Sequence, residues 1–180
     1  MIRIAQEAPA EAGAREDLLD RTMGSCRWLK PSERLRTGRA PAEGLSFVAR
    51  SDANLVGSVR LWHIAAGSAG AALLLGPLAV DPQYWGCGVG SALMTSAITN
   101  AEARGHSAIL LVGDAPYYDR FGFSSEHTVH LSMPAPVLRE RFLGLELRPG
   151  ALTRAYGMVV ATGKPAMPSV VEAAELPLAA

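Results

Sequence analysis

A short apolar run that ends in a glycine loop is the feature that most constrains what this chain can fold into. Residues 73–94 read LLLGPLAVDPQYWGCGVGSALM, so an apolar segment leads through closely spaced glycines into a helix-like segment. The first N–H groups of a helix have no partner inside it, and its N-terminus carries partial positive charge. Such a junction binds anions. Because the loop contains no Lys or Arg, backbone amides would hold the anion.

The spacing of this loop excludes two common phosphate-binding motifs. The nucleotide P-loop needs Lys and then Ser or Thr after its second Gly, whereas Gly90 is followed by Ser91 and Ala92. The dinucleotide fingerprint needs a third Gly, where this chain has Ser91 or Leu93. The loop is therefore predicted to bind a phosphorylated ligand of another kind.

Length, charge and cysteine count limit the class of protein. The 180 residues are enough for one domain, predicted over 1–162, and the tail over 163–180 is predicted to be poorly anchored. A formal net charge of +0 gives no sign of a nucleic-acid partner. The two cysteines lie far apart, and no export signal or membrane span is visible, so a reduced, cytoplasmic protein is expected.

The order of apolar segments predicts an α/β fold with a mixed sheet. Helices are expected over 9–23, over 31–36, directly after the glycine loop, and around 116–120. Strands are expected at 2–4, 45–50, 55–62, 72–80, 107–113, 129–132, 145–147 and 156–160. The three strands that precede the glycine loop are predicted to be antiparallel. The strand at 107–113 is predicted to run parallel to the strand at 72–80, to which a right-handed crossover through the helix connects it.

Two motifs that occur in a fixed order resemble those of the GNAT (GCN5-related) N-acetyltransferases. The family loop has Gln or Arg, two residues, Gly, one residue, then Gly or Ala; Gly88 and Gly90 match it, and Trp85 stands at its first position. Downstream, DAPYYDRFGF resembles a family segment in which Tyr precedes Gly-Phe by four residues, here Tyr118 and Gly122-Phe123. The segments LSFVAR, VGSVRLW, FLGLEL and PGALTRAYGMVV are similar to the YhbS-type bacterial members.

This resemblance implies a more specific fold. The family has a mostly antiparallel, twisted sheet flanked by helices, in which the fourth strand splays away from the fifth. Gly76-Pro77 is the expected place for that break, because Pro has no N–H to give to a ladder and Gly tolerates bulge geometry.

The resemblance also implies acetyl-CoA as co-substrate and no metal. The pyrophosphate would bind the loop amides, and the pantetheine arm would lie along the fourth strand. Trp85 would be an aromatic residue at the rim that still offers its backbone N–H. The expected cofactor-binding residues are Leu78, Ala79, Val80, Trp85, Gly86, Cys87, Gly88, Val89, Gly90 and Ser91.

The implied reaction moves an acetyl group to a primary amine by direct attack. It needs a neutral amine, donors for the oxyanion and a proton for the departing thiolate. The backbone N–H near Leu78 could serve the oxyanion. Tyr118 is the expected catalytic acid, with Tyr117 as the alternative. The sequence does not identify the general base, because the fourth strand contains no carboxylate. Either the amine arrives neutral, or an ordered water relays its proton to Asp81, Glu43, His63 or Asp114.

Several alternatives accompany this hypothesis. The same fold could be a non-catalytic module that binds or senses acyl-CoA, or the loop could bind another nucleotide. The acceptor could be a small-molecule or a peptide amine, and the family allows a homodimer. His127 and His130 are spaced for a metal on a helix, but EHTVHLS has strand-like composition and no third ligand nearby, so a structural role is preferred.

Overall fold

The structure, a computed structural model, describes residues 1–166. Its strands are β1 (Ile2–Gln6), β2 (Ser46–Ser51), β3 (Asn54–Ala66), β4 (Ala71–Val80), β5 (Ala108–Val112), β6 (His130–Ser132), β7 (Phe142–Glu146) and β8 (Tyr156–Ala161). Its α-helices are α1 (Ala12–Met23), α2 (Val89–Ala103) and α3 (Ala115–Tyr118). Short 3-10 helices connect several of these elements, and two of them, Ser25–Leu29 and Pro31–Leu35, lie between α1 and β2.

The strands form one mixed sheet. Its order is β1-β2-β3-β4-β5-β7, and β8 pairs with both β3 and β6. The first four strands are antiparallel, β5 is parallel to β4, and β7 is antiparallel to β5. The predicted GNAT-like architecture, a mostly antiparallel sheet flanked by helices, is confirmed.

Three local predictions were wrong in detail. The helix predicted over 31–36 is a 3-10 helix, Pro31–Leu35. The strand predicted at 145–147 begins earlier, at Phe142. Phe142 and Leu143 are both buried and belong to different core clusters, as expected for consecutive residues of a strand that is covered on both faces. The strand-like EHTVHLS segment is only partly extended, since Ser125–Thr128 forms a 3-10 helix before β6.

The central strands are apolar in sequence because both faces of the sheet are covered. In β4, Leu73 and Leu75 belong to the cluster under α2, whereas Leu74 belongs to a second cluster. The α2 face of that first cluster includes Leu93 and Ala97, as its amphipathic pattern predicts. Consecutive strand residues point to opposite faces, so a strand covered on both sides has no polar position.

The fourth and fifth strands separate soon after they meet. Their parallel pairing consists of Leu73 with Ile109 and Leu74 with Leu110. Beyond Leu74, β4 keeps β3 as its partner as far as Val80. The predicted splay is confirmed, and it leaves one edge of β4 unpaired.

A bulge accompanies this separation. The register of β3 against β4 moves from Leu61–Leu75 to Val59–Leu78, so Arg60 lies opposite the two residues Gly76-Pro77. The carbonyl of Gly76 accepts a hydrogen bond of 2.6 Å from the indole Nε1 of Trp62. Trp62 is only 8% exposed, so this bond satisfies a buried carbonyl at the bulge.

Buried charges fix α1 to the sheet. The carboxylate of Glu7, which follows β1, accepts hydrogen bonds from Arg15 of α1 and Arg60 of β3 at 2.6–2.9 Å. Burial alone would raise the pKa of Glu7, but the hydrogen bonds and charges of Arg60 and Arg15 outweigh it and lower that pKa. Glu7 therefore stays ionised and holds α1 in place.

The end of the described chain is paired with an earlier loop. Arg39 forms a bridge with Pro165, and the N–H of Ala166 donates to the carbonyl of Gly38. Residues 167–180, most of the tail predicted to be poorly anchored, lie outside the described residues.

We expect Trp62→Phe to lower the free energy of unfolding by about 2 kcal/mol, because the buried Gly76 carbonyl loses its donor. Urea denaturation followed by circular dichroism measures this change. The control is Trp28→Phe, at a side chain that is 56% exposed. Equal unfolding midpoints for the two variants would contradict the role of the indole at the bulge.

Candidate active site

The opening between β4 and β5 widens into a cleft of about 690 Å³. One end of it is the glycine loop with the start of α2, and one side is β4 beyond the break. Tyr117, Tyr118 and Arg120, which lie at and after α3, also line it. The predicted cofactor-binding residues that line the cleft are Leu78, Val80, Trp85, Gly86, Gly88, Val89, Gly90 and Ser91.

Two predicted cofactor-binding residues lie outside the cleft lining. Ala79 packs against Leu18 and Leu19 of α1, on the opposite face of β4 from Leu78 and Val80. This is the ordinary alternation of a strand. Cys87 is exposed, and its thiol lies 3.8 Å from the carbonyl of Trp85.

The glycine loop leaves a group of backbone donors free. Gly86 and Gly88 have φ of 77° and 78°, a left-handed conformation that favours glycine, and Gly88 is the N-cap of α2. Within residues 1–166, no protein acceptor lies within hydrogen-bond reach of the N–H groups of Gly86, Gly88, Val89, Gly90 and Ser91. The last four of these residues are consecutive and lie at the N-terminus of α2, where the helix dipole adds positive potential.

Trp85 and Cys87 do not add donors to this group. The N–H of Trp85 bonds to the carbonyl of Pro82 at 3.2 Å, and the N–H of Cys87 bonds to that of Tyr84 at 3.3 Å. The expectation that Trp85 keeps a free backbone N–H is therefore wrong, because a 3-10 turn at Pro82–Tyr84 uses it. The Trp85 side chain is 68% exposed, and its indole Nε1 donates to the carbonyl of Val80.

Two tyrosines occupy spaces that only glycine leaves open. A Cβ added to Gly90 would lie 2.5 Å from the hydroxyl of Tyr117, which therefore sits over the first turn of α2. A Cβ added to Gly113 would collide with the ring of Tyr118. That ring also packs edge to face on Phe123, at a centroid distance of 6.0 Å. The orientations of both rings are thus set by the backbone beneath them.

The Tyr118 hydroxyl is an unusually weak acid. Burial, followed by the neighbouring Tyr117 and Asp114, raises the pKa of Tyr118 to about 12. Arg141 acts in the opposite direction and only reduces this shift. Tyr118 therefore remains a neutral phenol, able to donate a proton, throughout the physiological pH range.

Of the four candidate bases, only Asp114 lines the cleft. Its carboxylate is 77% exposed and lies 3.1 Å from Nη2 of Arg141. Asp81 accepts a hydrogen bond from the N–H of Gln83 and borders a separate pocket, and Glu43 is exposed elsewhere. His63, which belongs to β3, packs against His106 outside the cleft, and the centroids of the two rings are 5.6 Å apart. Among the described residues, Asp114 is therefore the only carboxylate of the cleft lining, and it has a cationic partner.

The cleft also contains cationic side chains that sequence reasoning missed. Lys30, Arg36 and Arg141 line it together, and Arg120 lies 4.2 Å above the ring of Tyr117. Lys30 and Arg36 come from the segment between α1 and β2, whereas Arg141 directly precedes β7. No motif connects them, so only the tertiary fold shows that they share one space.

The described residues contain no group of three His, Cys, Asp or Glu side chains that could hold a metal ion. His127 lies in the 3-10 helix Ser125–Thr128, 3.9 Å from Glu146, and His130 begins β6. The two histidines thus belong to different elements rather than to one helix.

The sequence model of the acetyltransferase (GNAT) family matches residues 14–123. The chain belongs to the GNAT family. The matched region contains most of α1, the four strands β2 to β5, α2 and the Tyr118 motif, whereas β1 precedes it. Within residues 1–166, we find no helix that is both long and apolar enough to cross a membrane.

Similar proteins agree with this assignment. The GNAT N-acetyltransferase YhbS from Escherichia coli, solved with CoA, is 26% identical, with a TM-score of 0.73 over 90% of this chain and 89% of that one. A GNAT acetyltransferase from Brucella melitensis, solved with acetyl-CoA, shares the fold at 24% identity and a TM-score of 0.65, over 90% and 96%. The uncharacterized N-acetyltransferase YjhQ of Escherichia coli K12 is 42% identical over 50 residues, which is 28% of each chain.

We expect the phenol of Tyr118 to titrate near pH 12, because burial raises its pKa. The difference in ultraviolet absorbance at alkaline pH between the unmodified protein and Tyr118→Phe isolates this one phenol. Circular dichroism over the same pH range serves as the control for unfolding. A difference curve with its midpoint near 10, the ordinary value for tyrosine, would contradict the buried position of the hydroxyl.

Proposed function

We propose that this protein is an acetyl-CoA-dependent N-acetyltransferase that moves an acetyl group to a primary amine by direct attack. The observation that carries this proposal is the line of free N–H groups at the start of α2, which continues into the unpaired edge of β4 and reaches Tyr118. Membership of the GNAT family and the CoA and acetyl-CoA complexes of the similar structures support it.

The donor would bind along this line. The free N–H groups of the glycine loop suit a pyrophosphate, which can accept several hydrogen bonds at once. Leu78 and Val80 face the cleft along the edge of β4 that β5 leaves, so the amide-containing pantetheine arm has backbone groups to pair with. Arg120 stacks on the ring of Tyr117, whose hydroxyl lies over Gly90, and would add positive charge near the phosphate end.

The transfer forms a C–N bond and breaks a C–S bond. The amine nitrogen attacks the thioester carbonyl and loses a proton to solvent water, and the sulfur leaves with the bonding electron pair. Tyr118 would supply the proton that the thiolate takes up, and its phenolate would regain a proton from solvent. A phenol whose pKa is about 12 stays protonated at a pH where a free amine is largely neutral. The acid and the nucleophile can therefore be present in their reactive forms together.

A non-catalytic module that binds or senses acyl-CoA is the alternative. One observation favours it: Asp114, the only carboxylate among the described residues of the cleft lining, is paired with Arg141. The guanidinium therefore occupies one oxygen of this carboxylate. Turnover would then require an amine that reaches the cleft already neutral.

We expect Tyr118→Phe to lower kcat about 100-fold, within the range for loss of a general acid, and to leave the affinity for acetyl-CoA unchanged. Release of CoA with a panel of amines measures the rate, and calorimetry measures the binding. The matched control is Tyr156→Phe, at an exposed tyrosine of β8. Unmodified protein that binds acetyl-CoA but releases no CoA with any amine would support the sensing module instead. An unchanged kcat in Tyr118→Phe would remove Tyr118 from the mechanism.

We expect Gly90→Ala to weaken acetyl-CoA binding about 10-fold or more, equivalent to about 1.4 kcal/mol. The added Cβ would lie 2.5 Å from the Tyr117 hydroxyl, so the ring or the first turn of α2 must move. Calorimetric titration with acetyl-CoA gives the affinity. The control is Gly13→Ala, another glycine in a helix, where a Cβ meets nothing within 4 Å. Equal affinities for the two variants would argue against donor binding at this turn.

A further inference from the structure

Three cationic side chains form a cluster at the end of the cleft away from the glycine loop. We call Lys30, Arg36 and Arg141 the cationic cluster. Its position along β4 is given by Arg36, because a Cβ added to Gly76 would lie 3.6 Å from Nη1 of that guanidinium. Gly76 precedes Val80 by four residues, which is roughly 13 Å of strand. The cationic cluster is therefore well separated from the amides that suit a pyrophosphate.

The cationic cluster is only partly neutralised. Arg36 binds Glu33 at 2.6 Å through Nη2, and Arg141 lies 3.1 Å from Asp114. The ammonium of Lys30 lies 3.7 Å from the sulfur of Met23 and has no carboxylate within 4 Å among residues 1–166. Three positive charges thus face two negative ones, which leaves a net positive charge beside the break in β4.

The like charges of the cluster repel one another. Partial desolvation, and then the charges of Arg36 and Arg141, lower the pKa of the Lys30 ammonium. An anion bound between these side chains would relieve that repulsion and accept hydrogen bonds from them. Ser32, which lines the same part of the cleft, adds a neutral hydroxyl donor.

We propose that the acceptor is a small amine that also carries an anionic group, a carboxylate or a phosphate, and that the cationic cluster binds this group. The inference rests on the proposed function, because it concerns the acceptor of that reaction. An acceptor with several positive charges, such as a polyamine, would be repelled by the same side chains.

The cluster also acts on the nucleophile. Nearby positive charge disfavours the protonated form of an amine, so an acceptor held beside Lys30 and Arg141 loses its proton more readily than it does in water. The bound anionic group keeps the acceptor in place against this repulsion of its ammonium form. The acceptor amine can therefore be neutral in the cleft even though the carboxylate of Asp114 is paired with Arg141.

The first experiment compares related amines with and without an anionic group. Release of CoA from acetyl-CoA is measured with amino acids and their carboxamides, and with phosphoethanolamine and ethanolamine. We expect kcat/KM to be at least about 10-fold higher for the anionic member of an accepted pair. Preference within the amino-acid pairs indicates a carboxylate, and preference within the phosphoethanolamine pair indicates a phosphate. Equal or better use of the uncharged members would overturn the inference while the proposed function stands.

The second experiment changes the cluster. We expect Lys30→Met to raise KM for the anionic acceptor about 10-fold and to leave KM for acetyl-CoA within about twofold. The matched control is Lys164→Met, because Lys164 is the only other lysine of the sequence and does not line the cleft. A rise in KM for acetyl-CoA with none for the acceptor would assign the cluster to the donor and overturn the inference.

A binding measurement separates the two hypotheses if no amine supports release of CoA. That result contradicts the proposed function, and calorimetry on the CoA-saturated protein then tests the inference alone, with phosphoethanolamine against ethanolamine and glycine against glycinamide. Tighter binding of an anionic member, lost in Lys30→Met, supports an anion site at the cationic cluster. Equal or undetectable binding of both members of each pair overturns it.

Discussion

The hydrogen bond from the Trp62 indole to the Gly76 carbonyl lies at the bulge in β4, next to the point where β4 and β5 separate. The cleft exists because these two strands separate. An extra residue in β4 opposite Arg60 shifts the strand relative to β3, and β5 has already diverged after Leu74. A buried carbonyl displaced in this way would be costly without a donor. The indole supplies one, so β4 can continue to Val80 with one edge open and still remain part of the core.

The open edge becomes a site because two glycines admit two tyrosines. Gly90 lets the Tyr117 hydroxyl lie on the first turn of α2, and Gly113, directly after β5, leaves room for the Tyr118 ring. The donors of the glycine loop and Tyr118 thereby line one cleft. Such preorganisation is the condition under which a hydrogen bond stabilises a transition state.

Local patterns in the sequence were sufficient for much of this arrangement. The glycine loop, the amphipathic α2 and the break at Gly76-Pro77 depend on a few neighbouring residues, and each was predicted. The exclusion of Ala79 from the cleft lining follows from strand alternation, once it is known that α1 covers the second face. The use of the Trp85 and Cys87 N–H groups depends on a 3-10 turn whose hydrogen bonds the sequence pattern did not indicate.

The cationic cluster marks the limit of such reasoning. Its members come from a 3-10 segment near the start of the chain and from the residue before β7, and they meet only because both segments close the same end of the cleft. Long-range packing of this kind leaves no spacing that can be read along the chain. The same holds for the ion pair between Asp114 and Arg141, whose two residues are far apart in the sequence.

The indole of Trp85 marks the end of the strand edge that a ligand can use. Its N–H donates to the carbonyl of Val80, the last residue of β4, so a ligand would share that acceptor with the indole. The unpaired edge of β4 extends from the bulge to Val80, and the free N–H groups of the glycine loop begin at Gly86. The separation of these two regions sets a minimum reach for any donor: a thioester on an arm much shorter than this span cannot approach Tyr118 while its phosphates rest on the start of α2.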